Sequence, residues 1–554
     1  MPNYHIELPA DDSGQSAFAR LNDEIDTVRL MKTWLQTRDL PQETTPNTVR
    51  GFLPTRLLDV QAFTKSEDVR LVASRDFRAA STPPYLALSH CWGGIVPIQL
   101  QRDCLKDWSG TGISFRALPK TFRDAVRITR QLGIRFLWID SMCIIQDSTK
   151  DWNHEAALMA EVYGNALCTL AALSSKNSSQ GCKVTPNVQE SLKSPYVELK
   201  ADSHQSSRVR IFQSVPRTWI QEYTGQAGRD EDCPLRTRAW VLQEKELSNC
   251  TIYFAKNQLL WENKRRRATA QLPWEEIRSE TPSEEPRMMY ENPSRRLVGA
   301  GQHPWYQLVE DYTSRSLTIP TDKLIAFAGL AKAFGCNSRA QYLAGNWNTD
   351  MPAALLWHVS NRTATKPAYL APSWSWASLM GGVTYDSIRI EPDHNSAQYE
   401  YPEDIYTGLR SLKIQARTTL EKLEIPYGNV SEGRLTLSGA RCIGVRYDQR
   451  SVQYKDGGQP LFQQQATVGV FYQDIATTTA GVKDAFCVAL QSESIRTLRW
   501  HQFRLKQDKA MRSTVMGLVI AKHPKNQEYV RIGLARWLDE SLFDAVRPTT
   551  IELV

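Results

Sequence analysis

Four short stretches of the chain hold the residue types that do chemistry. Ser89-His90-Cys91-Trp92-Gly93-Gly94 sets a hydroxyl, an imidazole, a thiol and an indole beside two glycines. Asp140-Ser141-Met142-Cys143 adds a carboxyl and a second thiol, Trp152 stands three residues before Glu155, and Arg238, Trp240, Gln243 and Glu244 fall close together. An imidazole next to a thiol suggests a nucleophilic pair. Neighbours on an extended chain point to opposite sides, however, so His90 and Cys91 are badly placed to serve each other. Buried structural thiols are the better expectation for Cys91 and Cys143. Asp140 is expected either to orient His90 or to cap the loop that follows. Trp92 or Trp152 can stack on a flat base, and Gly93–Gly94 lets backbone approach a ligand closely. Arg238 and Glu244 read as scaffold ion-pair or hydrogen-bonding residues, with bidentate contact to a ligand phosphate as the alternative for Arg238.

Rigid elements must hold these groups. Tyr85–Ser89 (YLALS) reads as a short strand of apolar side chains. In LPKTFRDAVRITRQLG, Phe122, Ala125, Val126, Thr129 and Leu132 recur at helical spacing, and Gly133 suits the stop. Ile134–Asp140 (IRFLWID) is a near-continuous apolar run, as in parallel strands buried on both faces. A helix is expected from Trp152 to Tyr163, with Trp152, Ala156, Met159 and Tyr163 on one side, and a strand over Ala166–Leu173. This alternation predicts a parallel α/β sheet with helices on both faces. Ligands in such sheets bind beyond the carboxyl ends of the strands. With the strands as neighbours, Ser89, His90, Trp92, Gly93, Asp140, Trp152 and Arg238 form the expected substrate-binding set. Glu155, at the expected helix start, offers a carboxylate that could stabilise developing positive charge; a carboxylate there is equally favoured by the helix dipole alone.

Elsewhere Asp23–Leu40 reads as a helix and Pro41–Thr48 as a linker. Val69–Val72 reads as a strand, RAWVLQEKEL as a helix and CTIYFAKNQLLWEN as a hairpin. Residues 264–300 are charged and Pro-rich, which suggests a loop excursion, and helices are expected over Tyr306–Ser314 and Lys323–Phe334. Trp374 and Trp376 are spaced to share one strand face, packed against the α/β domain. Beyond them, short alternating runs such as RLTLSGA and VMGLVIAK predict an antiparallel β module. The expected domains are an N-terminal helix and linker (1–50), the α/β domain (51–265), a helical and loop extension (266–380) and a β-rich module (381–554).

Composition narrows the partners. The 554 residues carry 67 Lys and Arg against 60 Asp and Glu, a net charge of +7. That mild excess fits an anionic small molecule and argues poorly for nucleic acid, since no long basic stripe is present. The densest basic run, KRRRA at Lys264–Ala268, reads as a solvated loop, with localisation or phosphate binding as the alternative. Ten cysteines show no CxxC pair and no zinc-site spacing, so no metal is expected. The polar, acidic N-terminus is unlike a signal peptide, and no run of 18 apolar residues spans a membrane. Reduced thiols and a cytoplasmic location follow as expectations.

Several blocks are more specific. LPTRLLDV, YLALSHCWGG, LPKTFRDAVRITRQLGIRFLWIDSMCIIQD, DWNHEAALMAEVYGNA and PLRTRAWVLQEKELS together resemble, in order, the heterokaryon incompatibility (HET) domain family of filamentous fungi. The resemblance covers residues 53–265, and APSWSWASL resembles a block common downstream. Ala239 stands where the family often has Gly, and Asn263 where Cys is common. The resemblance implies an effector of nonself recognition and regulated cell death that self-associates or meets a partner protein. The domain also looks like a relative of the TIR fold, a flavodoxin-like parallel sheet whose enzymes hydrolyse NAD with a glutamate near a helix start. That likeness implies NAD as substrate rather than cofactor, and carries the catalytic role to Glu155. Two other readings remain open: a non-catalytic TIR-like assembly module, and a HET-like enzyme of secondary metabolism acting on another small molecule.

Overall fold

A computed structural model describes residues 5–7, 27–36, 51–77, 82–94, 98–182, 196–202, 205–212, 219–224, 230–264, 266–273, 276–277, 304–335, 340–360, 364–385, 412–423, 425–447, 459–463, 466–474, 485–493, 514–523 and 528–554. Contacts divide the chain into two units, Met1–Thr281 and Pro282–Val554. Among the described residues no helix is long and apolar enough to cross a membrane.

The main sheet of the first unit has nine strands among the described residues: β1 (Arg56–Asp59), β2 (Arg70–Ala73), β3 (Tyr85–Ser89), β4 (Phe136–Trp138), β5 (Cys168–Ala171), β6 (Cys250–Phe254), β7 (Leu259–Asn263), β8 (Arg266–Thr269) and β9 (Glu276–Ile277). Across the sheet they run β9-β8-β7-β6-β5-β3-β4-β1-β2. The four central strands are parallel: Ala87 of β3 lies beside Trp138 and Thr169, and Leu170 beside Ile252. Numbered along the chain, those four stand in the order second, first, third, fourth. The expected all-parallel sheet is therefore mixed. The β6–β7 hairpin with β8 and β9, and the β1–β2 pair, add antiparallel edges.

Helices link the parallel strands: α2 (Lys120–Gln131) after β3, α3 (Asp140–Cys143) and α4 (Thr149–Asn165) after β4, and α5 (Ala239–Leu247) after β5; α1 (Thr27–Gln36) precedes them all. Alternate strand residues enter two cores, as a pleat of period two requires. Leu170, Ile252 and Trp261 join a core with Phe122 and Val126 of α2 and Val162 of α4. Ala171, Tyr253 and Leu260 join another with Val241 of α5. Both faces of the sheet are thus covered, which explains why all five residues of β3 are buried.

Three boundaries differ from the sequence reading. Strand β4 is three residues long, not seven, because Ile139 is already the N-cap of α3 and Asp140 turns into that helix. Helix α4 begins at Thr149, where Ser148 caps it by accepting from the Asp151 N–H at 3.3 Å. Asp151 is therefore the first-turn acid, and Trp152 and Glu155 lie further inside the helix. The KRRRA run is not a solvated loop, since Arg266 and Arg267 belong to β8, and Arg267 lies 4.4 Å from the Trp219 ring and 3.9 Å from Glu262. The described part of the N-terminal helix is α1, whose Trp34 is buried and stacks on Trp261. Pro41–Thr48 and residues 278–303 lie outside the described residues.

The second unit holds α6 (Pro304–Ser314), α7 (Ile325–Gly335) and nine strands of a mainly antiparallel sheet: β10 (Lys413–Leu420), β11 (Val430–Ala440), β12 (Cys442–Tyr447), β13 (Gln459–Gln463), β14 (Ala466–Gln473), β15 (Ala485–Glu493), β16 (Thr514–Lys522), β17 (Tyr529–Asp539) and β18 (Thr549–Leu553). Their order is β10-β11-β18-β17-β14-β13-β12-β15-β16, and β16 pairs back onto β17, so six strands close into a ring. Trp374 and Trp376 do not share a strand. Ser375 caps a 3-10 turn at Trp376–Ser378, which breaks the two-residue period. Trp374 packs with Leu435 and Leu437, and Trp376 meets Tyr312 and Phe327, all within this unit.

Candidate functional site

Strand β3 delivers Ser89 and His90 to its carboxyl end, where both are 2% exposed. Successive residues diverge there. His90 meets Phe122 of α2 edge-on at 5.0 Å, and its Nδ1 lies 3.8 Å from Asp140 Oδ1. That separation is too long for a hydrogen bond, and neither imidazole nitrogen has a partner. Asp140 is held by two donors: Trp92 Nε1 to Oδ2 at 2.8 Å and the Ser141 N–H to Oδ1 at 2.7 Å. It thus opens α3 and faces His90 at once. Burial pulls the His90 imidazole down to about 4, with Arg238 adding to the shift and Asp140 opposing it. At neutral pH the ring is uncharged, with one donor and one acceptor unmet.

On the other side of β3 stand Arg238 and Glu244. Arg238 occupies the N-cap position of α5 and donates through Nη1 to the His90 carbonyl. Glu244, inside α5, is 5% exposed. The hydroxyls of Ser89 and Tyr163 face its carboxyl, yet Glu244 Oε2 has no partner and Ser89 Oγ makes no well-aligned bond. Burial pushes Glu244 up to about 7, against the opposing pull of Arg238. The two thiols are poor nucleophiles: burial raises Cys91 to about 11 and Cys143 to about 12.

Glu155 belongs to a neighbouring cluster. Its carboxyl is 1% exposed, and Oε1 lies 3.4 Å from Arg56 Nη2. Arg56 also pairs with Asp151 and donates through Nε to the Cys143 carbonyl at 2.6 Å, while Asp151 accepts the Ile145 N–H at 2.8 Å. Together they clamp β1, the end of α3 and the first turns of α4. Burial raises the Glu155 pKa, and Thr55 and Arg56 oppose it. Glu155 Oε2 has no hydrogen-bond partner.

Of the expected set, Ser89, His90, Trp92, Asp140 and Arg238 come together at the strand tips. Trp152 meets Trp240 of α5 edge-on at 6.5 Å. Gly93 serves packing: at φ +72° an added Cβ would overlap Asn177, in the loop after β5. Gly94, at φ +80°, meets nothing within 4 Å of such an atom. Tyr163 and Glu244 were missing from the expected set. Tyr163 was legible only as one member of a helix face, and Glu244 only as a neighbour of Arg238. Among the described residues no group of three or more His, Cys, Asp or Glu side chains is arranged to hold a metal ion.

Residues 85–244 match the family model described as heterokaryon incompatibility protein (HET). The match opens at the first residue of β3 and closes at Glu244, so it encloses the strand-tip cluster. Comparisons with curated proteins and with solved structures give no significant match. With several of its motif blocks in order inside this match, the chain carries a heterokaryon incompatibility (HET) domain over residues 85–244.

Proposed function

We propose that the protein acts in heterokaryon incompatibility as an effector of nonself recognition and regulated cell death, and that its HET domain cleaves NAD at a TIR-like site. The observation that carries this reading is the order of the parallel strands. Second-first-third-fourth is the order of flavodoxin-like sheets, whose ligands bind outside the carboxyl ends of the strands. Ser89, His90, Trp92 and Asp140 stand at those ends.

The reaction breaks the bond between nicotinamide and ribose, and water takes the vacated position. Nicotinamide leaves as a neutral base while positive charge develops on the ribose. A carboxylate nearby stabilises that charge. Glu155 is assigned this role; burial raises its pKa, and Thr55 and Arg56 favour the ionised form against that. Trp92 and Trp152 supply faces for flat rings.

The Arg56 clamp favours a second reading as well, because it gives Glu155 a complete structural reason to exist. The protein would then be a non-catalytic assembly module. Nicotinamide release, followed by chromatography on self-associated protein, separates the two. Replacing Glu155 with Gln is expected to slow release about a hundredfold, the ~3 kcal/mol of one lost transition-state contact, with the melting temperature kept within a few degrees. Equal turnover in both proteins would remove Glu155 from catalysis. No release from clustered wild type would leave the assembly reading.

A further inference from the structure

Two thiols far from the strand tips lie against each other. Cys168 opens β5 and Cys250 opens β6, neighbouring strands that run parallel. Thr169 is paired with Thr251, so the residues just before them are neighbours across the sheet. Their sulfurs are 3.3 Å apart, although 82 residues separate them in the chain. From this geometry we propose that Cys168 and Cys250 form an oxidative modification site, at which a hydroperoxide closes a disulfide that staples β5 to β6.

Strand register puts both side chains on one face. Alternate residues of a strand point the same way, and Cys168 with Leu170 and Cys250 with Ile252 enter a single core. Paired strands run roughly 4.8 Å apart, inside the range of about 4.4–6.8 Å between Cα atoms that a disulfide spans. Side-chain rotation therefore closes the bond with the strands kept in register. The Trp261 indole N–H donates to Cys250 Sγ at 3.2 Å and holds that sulfur in place beside Cys168. Cys442 and Cys487 show the opposite case. They too stand on neighbouring strands, β12 and β15, but Cys442 pairs with Val488 and Cys487 with Ile443. One residue out of step, they point to opposite faces of the sheet and pack into different cores.

The step balances with a hydroperoxide as oxidant. One sulfur, as thiolate, attacks a peroxide oxygen and becomes a sulfenic acid, while the other oxygen leaves as water or an alcohol. The second sulfur then displaces the sulfenic hydroxyl, forming the S–S bond and releasing water. The two thiols give up two electrons and two protons, and the peroxide bond takes them up. Cys168 and Cys250 are 0% and 1% exposed, so the oxidant reaches them as this end of the sheet opens locally. Once formed, the bond closes the segment that carries α5 onto β5 and restricts the unfolded chain, so the oxidised sheet melts at higher temperature. The pair lies at the amino ends of its strands, opposite the strand tips, and the inference is independent of NAD cleavage.

Peptide mapping of the full chain tests it. The reduced protein is exposed to hydrogen peroxide, its remaining thiols are blocked with N-ethylmaleimide in denaturant, and the tryptic peptides are read by mass spectrometry. Trypsin leaves Cys168 in the peptide 151–176 and Cys250 in 246–256, each with a single cysteine. A linked species of these two is expected, lighter than their sum by two hydrogens and lost on reduction. It should exceed any other cysteine pair at least about tenfold, because fixed proximity favours closure. Oxidised wild type should melt a few degrees above the reduced chain, and Cys168→Ser and Cys250→Ser should show neither the species nor the shift. The wild-type map stands by itself where a variant folds poorly. Sulfinic acid at either cysteine in place of the link would overturn the site. So would a Cys442–Cys487 link in equal yield, or no link even in urea below the unfolding midpoint. A link that leaves the melting temperature unchanged would overturn the staple.

Discussion

Two buried polar clusters, one in each unit, invite comparison. In the second, Arg531 bonds Asp474 through Nε at 2.9 Å and Nη2 at 3.3 Å, and donates through Nη1 to the Leu355 carbonyl at 2.6 Å and through Nη2 to that of Trp357. Its guanidinium lies 3.4 Å from the centre of the Trp357 ring, and its backbone N–H reaches Ser373 Oγ at 3.1 Å. The strand-tip cluster of the first unit is as deeply buried and leaves four polar atoms unmet. Burial of ionisable groups therefore does not by itself mark a site in this protein. Lys323 sharpens the lesson. Burial pulls its amine down to about 7, yet it donates to the carbonyls of Trp376 and Leu379 and sits over the Trp376 ring. A shifted group with its bonds satisfied is scaffold.

The largest effect is expected where the bonds are complete. Arg531→Met leaves Asp474 buried without its partner and frees two carbonyls, so chemical denaturation should show a loss of about 3–5 kcal/mol. A loss below ~1 kcal/mol, the range of an exposed pair, would break the comparison.

Next comes Glu244, whose expected signature is a slope rather than a loss. Its folded pKa of about 7 stands above the ordinary 4.5, so the folded chain holds a proton that the unfolded chain releases. Stability from this group is full below about 4.5 and declines as pH rises through 7, by about 3 kcal/mol in all. His90 acts with the opposite sign: its folded value of about 4 lies below the ordinary 6.5, so its contribution is lost as pH falls through that window. Glu244→Gln should remove the Glu244 slope and leave the His90 one. Denaturant midpoints measured across pH check both; an unchanged slope would show Glu244 to be better solvated than its burial suggests.

Smallest is a surface pair in the second unit. Arg434 lies 3.4 Å from Glu528 and 3.7 Å from Glu552, and all three side chains are more than a third exposed or nearly so. Arg434→Ala should cost less than ~1 kcal/mol, screened further by salt. A larger loss would mean that partner count, rather than burial, sets the scale.

Much of the architecture was legible because it is local. Tyr85–Ser89 reads as a buried strand from its apolar run, α2 from Phe122, Ala125 and Val126 at helical spacing, and the C-terminal ring from period-two alternation. The motif blocks identified the family, and the structure agrees that they form one parallel-centred sheet. The errors fall where an apolar pattern runs on into a turn. Apolar character continues to Ile139, but β4 ends at Trp138 because Ile139 is already the N-cap of α3. Trp374 and Trp376 keep strand spacing in a turn capped by Ser375.

Contacts between distant segments belong to the tertiary structure alone. Arg238 reaches the His90 carbonyl across 148 residues, and Arg56 reaches Glu155 across 99. Residue type and periodicity showed that His90, Asp140, Glu155 and Glu244 were available, and on which elements. They could not show that Glu155 would meet an arginine from β1 while Glu244 faced Ser89. Periodicity specifies which side of an element is apolar, whereas strand order decides which elements are neighbours, and only neighbours can satisfy or leave unmet a buried polar atom.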